Sequence, residues 1–262
     1  MSDDRSLVGG WRRVRDALPV ERAAIDALLR EQLAYYRAGA REYDNGNRWL
    51  LNVNSGADWE QTYRRGYADA VAAIDAVAVG SDVLELAGGT GMYTERLARC
   101  ATRLTVVDAS PESLEINRST VGTARSNVEY VLADIFDWCP PRRYDAVVFA
   151  FWLCHVPLAR FDSFWRTIDQ ALGEGGTVVF IDAQAEATTP GAGQLEGTPD
   201  IFAEERLDEE ISVRQLADGS RFRIVRVLWH RSALQARLEG LGWSVRMHDQ
   251  SPWLVGSACR AT

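Results

Sequence analysis

An apolar segment that ends in an acid and continues into a glycine-rich turn is the first candidate for chemistry in this 262-residue chain. Residues 85–91 read ELAGGTG, with glycine at positions 88, 89 and 91. Glycine has no Cβ atom, so such a turn can bend sharply and bring the backbone close to a ligand. A dinucleotide-binding fingerprint would require one more glycine at position 94. The chain has Thr94 there, which disfavours an NAD-dependent dehydrogenase.

Two further acids follow apolar runs later in the sequence. Asp108 ends the run 104–108, nineteen residues after Gly89, which fits an acid that accepts both hydroxyls of a ribose. Asp134 follows the run 128–132, where its carboxylate is predicted to take an adenine amino group. In the alternative interpretation, Asp108 caps a helix before Pro111 and Asp134 is a solvated loop acid. A fourth run, 144–150, is almost entirely apolar, as in a strand buried on both faces.

In this order, the four segments resemble the class I S-adenosylmethionine (SAM) methyltransferases, with Ala87 at the first glycine of the family motif. The resemblance implies a Rossmann-like α/β fold, with a mostly parallel seven-stranded sheet, helices on both faces and SAM as cofactor. It implies no metal ligands. The cofactor contacts that it implies are Tyr43, Glu85, Ala87, Gly88, Gly89, Gly91, Asp108, Ala109, Asp134, Ile135 and Ala150.

The periodicity predicts which elements position these residues. Strands near 82–86, 104–108, 128–132, 144–150 and 177–182 alternate with helices near 91–100, 111–118, 160–172 and 231–240, as in a parallel sheet. Segments 243–248 and 253–260 predict a terminal antiparallel pair. Two earlier helices, from Pro19 to about Ala40 and from about Asp58 to Val77, flank a loop at 45–47 and are expected to cover the carboxyl edge of the sheet. We expect effectively one domain, with residues 1–80 as helical cover and 81–262 as core.

The stretch 209–228 departs from this alternation and predicts an inserted β-hairpin lid. Asp218-Gly219 is a strong signal for a hairpin turn. A two-residue turn would place Arg214 opposite Arg223, with Arg226 on the other face of its strand. Like charges directly opposite each other destabilise a ladder. Either both arginines extend into water, or they share a bound anion.

Several longer strings narrow the resemblance. They are YYRA at 35–38 with EYD at 42–44, DIFDW at 134–138, FAFWLCHVP at 149–157, DGSRFRIVR at 218–226 and LGW at 241–243. Together they resemble the phosphonate O-methyltransferases of dehydrophos biosynthesis and related small-molecule methyltransferases. This implies that His155, Arg214 and Arg226 hold an anionic acceptor. The chain departs from the pattern at Gly39, at Phe151 and in an insertion at 47–60.

The role of His155 depends on the acceptor. An ionised phosphonate, phosphate or carboxylate needs no base, so His155 would donate a hydrogen bond that aims the oxygen. With an alcohol, phenol or amine, a histidine of near-neutral pKa would be the general base. Tyr36 and Tyr43 are candidates to close over the methionine end of the cofactor, or else core tyrosines. Two alternative functions are an enzyme that cyclises or cleaves SAM and a catalytically silent SAM-binding module.

Composition limits the partners. A formal net charge of −8 disfavours a nucleic-acid groove, which needs a basic face. The longest apolar run, 146–154, is too short to cross a bilayer, and residues 1–15 have no signal-peptide pattern. The four cysteines lack metal-ligand spacing and predict reduced thiols. We therefore expect a cytoplasmic monomer or homodimer that acts on a small molecule, with neither nucleic acid nor membrane as partner.

Overall fold

The computed structural model describes residues 19–52, 56–122, 125–183, 204–206 and 210–261. Side chains are described for 22–42, 61–122, 125–183 and 210–261. None of the helices in these ranges combines the length and the apolar composition that a bilayer span requires.

A seven-stranded sheet organises the chain, as predicted. Its strands are β1 (Asp82–Leu86), β2 (Arg103–Asp108), β3 (Val128–Leu132), β4 (Tyr144–Ala150), β5 (Leu172–Asp182), β9 (Trp243–Met247) and β10 (Leu254–Arg260). The order is β3-β2-β1-β4-β5-β10-β9, with β1 to β5 parallel and β10 antiparallel to both neighbours. The strand order reverses between β1 and β4. In such sheets the ligand crevice lies beyond the carboxyl ends of the strands at that point.

Helices bury both faces of this sheet. On one face α2 (Gly56–Ala78), α3 (Thr94–Cys100) and α4 (Pro111–Val121) share an apolar core with Val83, Val106 and Val148. On the other, α5 (Leu158–Ala171) and α6 (Arg231–Glu239) pack against Leu84 and Phe149. Alternating strand residues therefore serve opposite cores. The prediction that α2 covers the carboxyl edge is wrong, because α2 buries Ala70 and Ile74 against the sheet face.

The carboxyl edge is covered by α1 (Pro19–Asn52), which contacts α4 and the strand β8 (Arg221–Val225). Its side chains line the cavity above the sheet together with residues that follow β1, β2 and β4. The predicted loop at 45–47 is wrong, because the helix continues to Asn52. One glycine within a helix costs only about 1 kcal/mol, which the rest of a long helix can offset.

The stretch 209–228 belongs to a second sheet of three antiparallel strands, β6 (Glu204–Arg206), β7 (Ile211–Gln215) and β8 (Arg221–Val225). The predicted two-residue turn is wrong. Leu216 N–H donates to Ser220 O at 2.9 Å, which leaves a three-residue loop in which Gly219 has φ +87°. Such loops place a residue in the left-handed region and add a bulge.

The extra loop residue shifts the pairing register by one. Arg214 pairs with Phe222, and Arg223 pairs with Val213. Side chains alternate along a strand, so Arg214 shares its side with Phe222 and, two pairs further, with Arg226. The predicted opposition of Arg214 and Arg223 is therefore wrong. Arg223 instead forms an ion pair of 2.7 Å with Glu31 of α1.

Candidate active site

A cavity opens where β1, β2 and β4 end, against α1. Residues after the strand ends contribute Ala87, Gly89, Thr90, Asp108, Ala109, Ser113, Asp134, Ile135, Phe136, Ala150, Phe151, Trp152 and His155. Helix α1 contributes Leu29, Gln32, Leu33, Tyr36 and Ala40.

The three glycines of the turn after β1 have different surroundings. Gly89 has φ +53°, and a Cβ atom there would meet no atom nearer than Ala87 O at 3.9 Å. A Cβ at Gly88 would lie 2.4 Å from Val106 Cγ1, and one at Gly91 would lie 3.2 Å from Asn117. Only Gly89 of the three lines the cavity. Gly88 and Gly91 allow the turn to pack on β2 and α4.

Asn117 was not anticipated from the sequence. Its buried Nδ2 group donates to Gly88 O at 3.2 Å, Gly89 O at 3.1 Å and Thr94 Oγ1 at 2.9 Å. An asparagine within a helix carries no local signal for this role, because the carbonyls that it binds lie 28 and 29 residues earlier in the chain.

Two non-glycine residues adopt left-handed backbone conformations at the ends of β1 and β4. Ala87 has φ +53° and Phe151 has φ +52°. Each such residue costs on the order of 1–3 kcal/mol and persists only where the surroundings enforce it. Both line the cavity at the reversal in strand order. Two of the three described non-glycine residues with positive φ, the third being Glu210, thus lie where the sheet offers its ligand crevice.

The acids predicted to bind the cofactor have different environments. Asp108 accepts hydrogen bonds from Gly89 N–H at 2.9 Å and Ser110 N–H at 2.8 Å, while burial raises its pKa. Asp134 is exposed and accepts from Phe136 N–H at 2.9 Å. Both line the cavity. The side chain of Tyr43 lies outside the described side chains.

Glu85 lies behind the turn and does not line the cavity as described. Its side chain is buried, and burial raises its pKa to about 8, with a further contribution from Asp108 and an opposing one from Thr94. Among the described residues, its Oε2 atom has no hydrogen-bond partner. At neutral pH this carboxyl is therefore mostly protonated.

His155 ends the short 3₁₀ turn Leu153–His155 that follows β4. Its Nδ1 atom lies 2.8 Å from Val225 O. A carbonyl only accepts, so the ring proton resides on Nδ1. Its Nε2 atom therefore accepts from the Tyr36 hydroxyl at 2.7 Å. Helix α1 and strand β8 thus hold the imidazole from opposite ring nitrogens.

The electrostatics of His155 differ from those of the near-neutral general base that was one of the two roles considered for it. Burial lowers the pKa of His155 to about 3, with Arg226 and Arg214 lowering it further and the Val225 hydrogen bond opposing them. The imidazole is therefore neutral at physiological pH. Since its proton is already donated to Val225 O, it is also not a ready donor to a ligand.

The strand register places Arg214 and Arg226 on one side of the hairpin. The charge of each lowers the pKa of His155. Arg214 is 5% exposed and donates to Ser212 Oγ. Neither arginine is among the described lining residues, so both influence the cavity through the potential at His155. Asp182, at the end of β5, is also buried and feels the charge of Arg226.

Asp182 was likewise missed by the sequence reasoning. It accepts from Cys154 N–H at 2.9 Å and Ala183 N–H at 2.7 Å, which ties the turn that carries His155 to β5. An acid at the end of a predicted strand was a possible signal, but three other strand ends carry acids nearer to the glycine turn.

These features fit an adenosyl cofactor. Gly89, beside which a Cβ atom would meet no close neighbour, and Asp108, at the end of β2, line one cavity. A family model described as a methyltransferase domain matches residues 83–176. No curated protein sequence matches the chain significantly.

Solved structures extend the comparison over most of the chain. The DhpI–SAH complex is 33% identical with a TM-score of 0.70, covering 89% of this chain and 97% of that chain. The DhpI–SAM–HEP complex is 35% identical with a TM-score of 0.69 and the same coverage. The N-methyltransferase NodS from Bradyrhizobium japonicum WM9, in complex with S-adenosyl-L-homocysteine (SAH), is 17% identical. It has a TM-score of 0.57 and covers 87% of this chain and 98% of its own, so it supports the fold alone. The chain therefore belongs to the class I SAM-dependent methyltransferases, as an enzyme whose cofactor is S-adenosyl-L-methionine and which resembles DhpI.

Proposed function

We propose that this enzyme methylates an ionised oxygen of a small metabolite, a phosphonate, phosphate or carboxylate, in natural-product biosynthesis. The observation that carries this proposal is the pair of cations near His155. The charges of Arg226 and Arg214 both lower the pKa of this ring. His155 lines the cavity, so an anion beside it is attracted by two guanidinium groups.

The state of His155 supports an acceptor that needs no deprotonation. SAM, when bound, supplies an electrophilic methyl group on a sulfonium, and in-line displacement mainly requires positioning. An ionised oxygen is already nucleophilic. An alcohol or amine would need a base near its working pH, whereas the pKa of His155 is about 3 and its Nε2 atom is bonded to Tyr36.

The related structures support the same substrate class. One DhpI structure contains SAM together with HEP, and the strings around His155 and along β8 resemble phosphonate O-methyltransferases. Phe151 and the insertion at 47–60 depart from that pattern. The proposal therefore extends to anionic oxygen and not to one named phosphonate.

A panel of size-matched acceptors tests this proposal. The enzyme would be incubated with SAM and with methylphosphonate, methyl phosphate, acetate, ethanol or ethylamine, and SAH formation would be measured. We expect SAH only with the anionic acceptors, and methyl ester formation by phosphorus NMR with the phosphorus compounds. Turnover confined to ethanol or ethylamine would refute an anionic acceptor. Methylthioadenosine as product would instead indicate cleavage or cyclisation of SAM.

A further inference from the structure

Three residues from distant parts of the chain form a closed ring of hydrogen bonds beside the cavity. Gln32 Nε2 donates to His155 O at 3.2 Å. His155 Nδ1 donates to Val225 O at 2.8 Å, and Val225 N–H donates to Gln32 Oε1 at 2.9 Å. The residues belong to α1, the turn after β4, and β8. All three are buried, with exposed fractions of 3% for Gln32, 7% for His155 and 0% for Val225.

The backbone groups determine the orientation of the Gln32 amide. Val225 N–H can only donate and His155 O can only accept, so the amide oxygen faces β8 and the amide nitrogen faces the turn. Both backbone polar groups of Val225 are thereby used. Its N–H donates to Gln32, and its carbonyl accepts from His155. Buried polar groups with complete partners are rigid, whereas a partly satisfied network rearranges or admits water.

The ring controls the proton on the imidazole. While Val225 O stays in place, His155 keeps its proton on Nδ1, and Nε2 receives the Tyr36 hydroxyl. Tyr36 lies four residues after Gln32 on the same helix, so both side chains project from one face of α1. Tyr36 also lines the cavity, so the direction of its hydroxyl matters there.

We infer that Gln32 is a positioning residue, whose amide holds the Val225 carbonyl against His155 and so fixes the histidine tautomer and the direction of the Tyr36 hydroxyl. The functional consequence rests on the proposed acceptor site beside His155. The tautomer does not, because it is a property of the enzyme without an acceptor.

A simpler role for Gln32 would be to attach α1 to the body of the enzyme. The adjacent residue already does this at the surface. Glu31 accepts from the backbone N–H of Arg223 at 2.6 Å and from its guanidinium group, on the same strand β8. Glu31→Gln is therefore the matched control, since it weakens attachment of α1 to β8 without touching the ring.

Nitrogen NMR of histidine-labelled enzyme tests the inference directly. The chain has three histidines, and His155 can be assigned by its loss in His155→Gln. We expect wild type and Glu31→Gln to show one His155 tautomer, protonated at Nδ1, without titration between pH 5 and 8. In Gln32→Met, which has similar length and no hydrogen-bonding amide, we expect a mixture of tautomers or titration in this range.

Gln32→Glu provides a second variant that keeps an acceptor for Val225 N–H but presents a carboxylate to His155 O. We expect it to raise the titration midpoint of His155. Binding of SAH by calorimetry should change less than about threefold in every variant. Binding of methylphosphonate to the SAH complex should change at least about tenfold in Gln32→Met, because the Tyr36 proton is no longer held on His155, and remain unchanged in Glu31→Gln.

The possible outcomes separate the two proposals. A single, unchanged Nδ1 tautomer in both Gln32 variants overturns the positioning role. Failure of wild type to bind methylphosphonate counts against the anionic acceptor, while the NMR spectra still decide the role of Gln32. Equal effects of Glu31→Gln and Gln32→Met on His155 would show that Gln32 only attaches α1, which also overturns the inference.

Discussion

The Tyr36 hydroxyl donates a hydrogen bond of 2.7 Å to Nε2 of His155, because the other ring nitrogen already donates to Val225 O. The helix that covers the cavity is thus bonded directly to the one histidine that lines it. Burial and two nearby guanidinium groups keep this imidazole neutral. His155 consequently serves as an acceptor for Tyr36, and not as a base of near-neutral pKa.

The low pKa of His155 makes folding sensitive to acid. Its value of about 3 lies below the ordinary 6.5, so the unfolded chain binds a proton between these values that the folded enzyme does not. Stability is fully present above about pH 6.5 and falls by about 1.4 kcal/mol per pH unit below it. We expect urea unfolding at pH 7, 6 and 5 to show a wild-type free energy of unfolding that falls with pH more steeply than that of His155→Gln, because glutamine does not titrate. The stability advantage of the wild type should therefore become smaller in acid. Parallel pH dependences would contradict this prediction.

Arg214 should govern both the pKa of His155 and the affinity for anions. Its guanidinium lowers the pKa of His155, so Arg214→Met should raise the His155 titration midpoint. Removing this cation lowers the positive potential beside His155, so methylphosphonate should bind roughly tenfold more weakly. NMR titration and calorimetry measure the two effects, while SAH affinity should be retained.

Arg223→Met is the matched control on the same hairpin. Arg223 is paired with Glu31 at the surface, and such exposed pairs contribute only about 0–1 kcal/mol. If Arg223→Met reproduces the effects of Arg214→Met, the arginines act through the stability of the hairpin and not through the potential at His155.

Asp108→Ala should weaken SAH binding roughly ten- to a hundred-fold, as expected for loss of a charged hydrogen-bond partner of the ribose. It also leaves Gly89 N–H and Ser110 N–H without their acceptor. Calorimetric titration measures the loss. Asp75→Asn, which weakens an ion pair with Arg96 outside the cavity, should bind SAH normally. Unchanged affinity in Asp108→Ala would exclude the ribose role.

Substitutions at Gly88 and Gly89 should separate folding from binding. A Cβ at Gly88 would lie 2.4 Å from Val106 Cγ1, so Gly88→Ala should lower Tm. Gly89 lines the cavity, and a Cβ atom there would meet no atom nearer than 3.9 Å, so Gly89→Val should abolish SAH binding while the enzyme still folds, with a strain of about 1–3 kcal/mol from its positive φ. Thermal unfolding and calorimetry distinguish these outcomes. Tight SAH binding by Gly89→Val would contradict the assignment of the turn.

Glu85 should make the folded state less stable as the pH rises, which is opposite to the effect of His155. Its pKa of about 8 lies above the ordinary 4.5, so the folded state holds a proton that the unfolded chain releases between these values. Stability due to this group is present below about pH 4.5 and is lost as the pH rises toward 8. Glu85→Gln cannot ionise, so its Tm relative to wild type should increase from pH 5 to pH 8. An equal difference at both pH values would argue against the raised pKa.

The position of the glycine turn and of Asp108 could be predicted because both depend on short-range pattern and one general rule. Apolar runs of five or six residues form β1 and β2, and parallel strands end at the same edge of a sheet. Gly89 and Asp108, which follow these two strands, therefore lie close together. The backbone N–H of Gly89 donates to Asp108 Oδ2 at 2.9 Å.

The hairpin shows where local pattern was insufficient. Asp218-Gly219 correctly indicated the turn. Its length was decided by the hydrogen bond from Leu216 N–H to Ser220 O, which gives a loop of three residues. The additional loop residue shifts the register by one, so that Arg214 pairs with Phe222 and not with Arg223. Arg214 thereby came to share a side with Arg226, while Glu31 of α1 took Arg223.

The sequence by itself determined the fold and the cofactor, and it indicated the edge of the sheet for the site, because these follow from periodicity, strand-end residues and family resemblance. Only the tertiary structure decided the surroundings of His155 and the contacts of Gln32. Gln32 lies 123 residues from His155 and 193 from Val225, so no local pattern relates them. Burial and charge then depend on which distant side chains the fold assembles, and these set the pKa and the tautomer.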